Sequence, residues 1–325
     1  MIFDVARHKF HEGIITLIII AIATVIIGVA HPIVPPSELV ATTPWQATLN
    51  NFEVAHPIVA ALVGIVLMMH ASIRLSHATL HSKLYPTSSV APMALSALML
   101  LCTATEGEML STLLCAVLCA EFLGRMLYSM RHNARLHHIF SAMAALGTMP
   151  LIDSSTLAIV ALFPLLLISL HCRIRETIVA TVGLALPIFL YCYITWLMGG
   201  SFNDEIALLW QRMLLPSAQP IESYMTLGRL SFFATTLFLQ LCVMVIYHNE
   251  RLSMTLVARN SWTMMQLCFV LLVALLAFTP SLSPASFTVV MLFVAAMLPL
   301  FFQKINPTIS VISYVVLIVF ALIAA

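Results

Sequence analysis

About eleven apolar runs follow one another from residue 13 to residue 324, and few charges interrupt them. A helix needs about 20 apolar residues to cross a hydrocarbon core of roughly 30 Å. The runs lie at 13–31, 57–75, 89–104, 108–125, 138–152, 155–172, 177–198, 226–247, 261–279, 285–303 and 308–324. In lipid every backbone N–H and C=O must be satisfied internally, so a chain of this pattern is confined to helices. The predicted fold class is therefore all-α: a polytopic integral membrane protein of about 11 transmembrane helices. The third, fifth and sixth runs are short, which sets a range of 9–11, with those three as tilted partners or re-entrant segments.

Composition agrees. Only 8% of the 325 residues are charged and 62% are hydrophobic, against roughly 25% charged in a soluble domain. The formal net charge of +1 excludes nucleic acid as a partner. The run from Gly13 to Ala30 has no small-residue cleavage site, so it reads as a retained first helix. All seven cysteines fall in or at the ends of apolar runs, with no disulfide framework and no metal-ligand spacing.

Basic residues give an independent check on the runs. With the N-terminus inside, the inner segments hold 12 of the 14 Lys and Arg, and the outer ones hold only Arg212 and Arg229. Such a bias marks the cytoplasmic side. The sequence thus predicts a multi-pass protein of the cell inner membrane, N-terminus in and C-terminus out, with residues 1–325 as a single helical membrane domain. Two outer loops are long, 32–56 and 199–225. In the second, Ile206, Leu209, Trp210 and Met213 share one face of a predicted helix, and Asp204 and Glu205 sit at its first turn. This is the pattern of an amphipathic helix on the outer leaflet.

Candidate chemistry gathers at the outer loops, since acids contribute little to orientation and their outer enrichment needs another cause. Glu38 and Glu53 lie in the first outer loop as candidate catalytic bases. Glu106 and Glu108, two apart on a short turn, can share a divalent cation, the one cofactor the pattern admits. Arg212 and Arg229 stand where the charge bias disfavours them, and a guanidinium there suits the phosphate of a carrier lipid. The ordinary alternatives are solvated hairpin tips for the acids, and for the arginines a Glu205 pair, lipid contact or snorkelling. On the inner side Glu121 and Arg125 form an i, i+4 pair, and His77 and His81 share a helix face.

The stretch from Glu121 to Gly199 contains "IFSAMAALGTMPLIDSSTLAIVALFPLLLISL" followed by "RIRETIVATVGLALPIFLYCYI". It resembles a family of multi-pass inner-membrane proteins from Bacteroidota and, more loosely, the central helices of GT-C-type glycosyltransferases. The GT-C resemblance implies polyprenyl-phosphate-linked sugars as substrates, in envelope glycan assembly. It also implies an outward-facing site with an acid in the first outer loop, here Glu38 or Glu53. The chain departs from that pattern: its first outer loop is shorter than the resemblance implies and lacks Asp, and the sequence predicts no soluble domain after the last helix. Two rival readings stand beside it. One is a non-enzymatic subunit that docks other membrane proteins. The other is a transporter of a lipid or small molecule, with Gln240, Gln266 and Gln303 along a polar path.

Overall fold

The structure, a computed structural model, describes residues 14–20, 22–23, 43–85, 89–103, 108–130, 135–214 (side chains to 211), 226–278 and 283–324. Among these there is no strand. The helices are α1 (Pro44–Ala55), α2 (Pro57–His81), α3 (Ala91–Thr103), α4 (Met109–Ser129) and α5 (Arg135–Ile152). A 3-10 helix (Ser154–Ala161) then leads into α6 (Leu162–Ser169), α7 (Ile174–Leu197), α8 (Phe202–Leu214) and α9 (Leu227–Glu250). The last are α10 (Leu256–Phe278), α11 (Pro284–Met297), α12 (Pro299–Lys304) and α13 (Pro307–Ala324). Residues 14–20 are also helical, and Leu17 packs on Met93 and Ala97 of α3.

Many starts were written in the sequence. Proline opens α1, α2, α11 and α12, where its missing N–H costs nothing. Thr43, Asp153, Thr226 and Ser283 accept from backbone N–H groups as N-caps.

Among the described residues seven helices are long and apolar enough to cross a membrane: α2, α4, α7, α9, α10, the α11–α12 pair and α13. The α11–α12 helix is central, with 94% of its most apolar window buried inside the protein, whereas α7 has 17%. Apolar side chains such as Ile178, Val182, Phe189 and Ile194 stand exposed along α7, which is the surface expected against lipid tails rather than water.

Side-chain hydrogen bonds sort the helix ends into two sets. At one end Thr43 Oγ1 donates to Ile152 O (2.8 Å), Gln46 Nε2 to Glu108 Oε1 (3.3 Å), and Leu110 N–H to Glu53 Oε2 (3.3 Å). Arg229 Nε donates to Ala324 O there, and Tyr191 to Glu205. At the other end Arg74 pairs with Glu121, Lys304 with Glu250 (2.9 Å) and Arg135 with Glu176 (3.5 Å) and Leu170 O. Trp262 Nε1 donates to Leu84 O (2.9 Å) there as well.

By these ties α3, α5 and the Ser154–Ser169 segment each run from one end to the other. α3 is short, as the sequence indicated, whereas α5, at 18 residues, is as long as α13. The Ser154–Ser169 segment makes up length by its winding: eight residues at about 2.0 Å and eight at about 1.5 Å reach roughly 28 Å. The 13 residues of α3 are all buried, so this helix lies inside the protein rather than against lipid.

The Glu121–Arg125 pair is secondary to a contact the sequence did not reveal. Arg74 of α2 grips both carboxylate oxygens of Glu121, with Nη2–Oε2 at 2.7 Å, while Arg125 Nε lies at 3.6 Å. The bidentate fork is the stronger geometry.

Candidate functional site

Helix α1 is amphipathic in reverse. Its polar residues Gln46, Asn50 and Glu53 recur at i, i+4 and i+7, so they share one face. That face is the buried one, while Trp45 and Phe52 are exposed. It lies over the N-terminal end of α4 and the C-terminal end of α5. Thr43 holds it at Ile152, and Gln46 and Glu53 hold it at Glu108 and Leu110.

Three carboxyls meet beneath α1. Glu53, 5% exposed, accepts from the backbone N–H of Leu110. Asp153, 2% exposed, accepts from Ser155 N–H (3.0 Å) and caps the 3-10 helix. Glu108 is the N-cap residue of α4, makes no side-chain cap bond there, and takes a hydrogen bond from Gln46 instead. Loss of water around Glu108, with the negative charges of Asp153 and Glu53 nearby, pushes its carboxyl up to about 7. A carboxyl so placed exchanges its proton near neutral pH, which is what acid–base chemistry needs.

Hydroxyls complete the floor. Ser155 Oγ bonds both Ser283 Oγ and Ser286 Oγ (3.0 Å), so the first turn of α11 is tied to the same layer. The dipoles of the helices that start here favour negative charge. The result is a polar layer of carboxyl, amide and hydroxyl groups under an apolar-backed helix.

Of the residues the sequence singled out, Glu53 and Glu108 come together. Glu38 and Glu106 lie outside the described residues. Among the described residues no group of three His, Cys, Asp or Glu side chains is arranged to hold a metal ion. Arg229 is at the same end, where its guanidinium meets the last carbonyls of α13 through Ala324 O (3.2 Å). Arg212 lies on α8, with its side chain outside the described ones. On α8 Ile206 and Trp210 are exposed as expected of a surface helix, but Leu209 turns inward and is buried. Glu205 accepts from Tyr191 of α7 (3.3 Å).

Asp153, Gln46 and Asn50 are the residues of this layer that the sequence did not single out. The signals were present: an Asp-Ser-Ser-Thr capping string just after Pro150, and the i, i+4, i+7 polar stripe of α1.

At the opposite end Tyr128 of α4 sits among histidines. His77 Nδ1 lies 2.9 Å from its hydroxyl, His138 stacks on its ring and His81 meets it edge-on. These contacts fasten α2, α4 and α5 together.

No family model matches the sequence, and no curated protein or solved structure resembles it significantly.

Proposed function

We propose that this protein is a GT-C-like membrane protein that handles polyprenyl-phosphate-linked sugars at the outer face of the inner membrane, with the Glu53–Glu108–Asp153 layer as its working site. The observation that carries this reading is the burial of Glu53, from the first outer loop, beside Glu108 and Asp153. Amide, hydroxyl and carboxyl groups are the partners that sugar hydroxyls need. A carboxyl titrating near neutrality is the base such a transfer needs. In this reading the carboxylate of Glu108 or Glu53 takes the proton of an acceptor hydroxyl. That oxygen then bonds to the anomeric carbon, and polyprenyl phosphate leaves with the electrons of the broken bond. Arg229 and Arg212, at the same end, are the proposed holders of the lipid phosphate. The basic end faces the cytoplasm, and all eleven runs cross.

A transfer assay with a polyprenyl-phosphate sugar tests this, comparing wild type with Glu53→Gln and Glu108→Gln. Loss of a positioned base predicts a fall of about 10²–10⁴-fold in turnover with lipid binding retained. Absence of both binding and transfer in the wild type, or full activity in both variants, overturns it.

A second reading has its own observation. Glu53 and Asp153 each satisfy a helix-start N–H, so the acids also serve as caps in a non-enzymatic subunit that docks another envelope protein. That reading predicts a stable partner on purification and no effect of the glutamine variants on lipid binding.

A further inference from the structure

The central helix breaks inside the protein, nearer its basic end, and the break is polar. α11 ends at Met297 and α12 starts at Pro299. Proline has no N–H, so the carbonyl of Ala295 loses the donor that an unbroken helix would give it. The N–H of Phe301 bonds Leu298 O rather than the carbonyl four residues back. Membrane helices tolerate such breaks when side chains or ordered water satisfy the freed groups.

Gln240 of α9 faces this break. It is 0% exposed and its Nε2 donates to Met297 Sδ (3.3 Å), a weak acceptor. Its Oε1 is buried with no hydrogen-bond partner. Exchanging the amide's O and N leaves the same deficit, because one end meets a thioether and the other meets nothing. Thr236, one turn earlier on the same face of α9, is also fully buried with its hydroxyl unpartnered.

A third group comes from α13, which runs antiparallel to α9. Gly228 lies against the backbone of Ile323, and Arg229 reaches Ala324. That register sets Ser310, on the buried stripe of α13, level with the turn after Gln240. Its hydroxyl too is buried and unpartnered. Groups that want hydrogen bonds thus converge inside the protein from three helices. Buried water typically fills such sites, with two to four polar partners each.

We infer that the Pro299 break encloses a bound-water site, held by Gln240 and Thr236 on α9 with Ser310 of α13 beside them. Water here lets the central helix break without an open carbonyl, and leaves a hydrated point inside the protein. The inference is independent of the reading of the acid layer.

X-ray radiolytic footprinting of the purified full-length protein tests it, because hydroxyl radicals formed from a trapped water oxidise the nearest methionine. Met297, Met143 and Met126 are all 0% exposed, while Met198 is 83% exposed and serves as the bulk-water reference. Water beside Met297 predicts sulfoxide formation there about tenfold faster than at Met143 and Met126. Gln240→Leu, which replaces a buried amide by an apolar group of similar size, should bring Met297 down to the rate of the other two. Unchanged slow labelling of Met143 and Met126 in the variant shows that the fold is kept. Equal, slow labelling of all three buried methionines in the wild type overturns the site, as does rapid labelling of Met297 that survives Gln240→Leu.

Discussion

Glu108 carries the clearest electrostatic signature outside the spanning helices. Its carboxyl is raised from an ordinary 4.5 to about 7, first by loss of water and then by Asp153 and Glu53. An acid raised by folding binds its proton more tightly in the folded state. Below its ordinary value both states are protonated and the group costs nothing. As pH rises from about 4.5 to 7 the unfolded state ionises first, so folded stability falls, and the penalty levels off above 7. The ceiling on that penalty is about 3 kcal/mol, and partial exposure makes the real figure smaller. Glu108→Gln should therefore flatten the stability–pH profile of the solubilised protein between pH 4.5 and 7 and raise its melting temperature at pH 7.5. Melting curves across that range check this, and an unchanged slope would refute the desolvated carboxyl. At this scale the sequence was informative about residue types and blind to partners. Glu53 and Glu108 stood out as outer acids. That Arg74 pairs with Glu121 across 47 positions, or that Arg229 closes the end of α13, is set by helix packing that no local pattern encodes.

At the scale of elements, hydropathy located the long helices well because lipid demands a near-constant length of apolar residues. It was weakest at the short runs. The 3-10 winding of Ser154–Ala161 changes rise per residue without changing composition, so no periodicity argument reaches it. The reversed amphipathicity of α1 was legible only as a polar stripe, because its length is too short for a span and its buried face is polar. The packing of α7 depends on two glycines facing backbone. A Cβ on Gly183 would stand 2.7 Å from Phe140 O of α5, and one on Gly147 would run into the carbonyl of Leu184. The two helices therefore touch through reciprocal small positions, as membrane helices do where close approach gives the attraction. Since α7 packs chiefly on α5, Gly147→Ala should cost about 1–3 kcal/mol through displaced backbone. Gly147→Leu should lift α7 off α5. The check is protease sensitivity of the 198–201 segment beside a melting curve. A melting temperature unchanged by both substitutions would contradict this packing.

The whole molecule is two-ended, and its ends differ in charge more than its sequence differs from segment to segment. Among the described side chains, Arg74, Lys83, Arg125, Arg135, Arg173, Arg175, Arg251, Arg259 and Lys304 belong to one end and Arg229 to the other. Glu53, Glu108, Asp153, Asp204 and Glu205 gather at the end that is poor in cations. Charge bias alone predicted this sorting, because orientation is written in short basic loops. The depth at which the acids are held was not predicted, because it arises from α1 folding back over the start of α4 and the end of α5. The proposed function requires the acid-bearing end to face outward. Single cysteines at exposed Ser201 and Ser253, one at each end, read this in a background where Cys172 and Cys242 are serine. A membrane-impermeant maleimide should label Ser201→Cys in intact cells and Ser253→Cys only after permeabilisation. The reverse pattern would place Glu53, Glu108 and Asp153 in the cytoplasm and contradict the account.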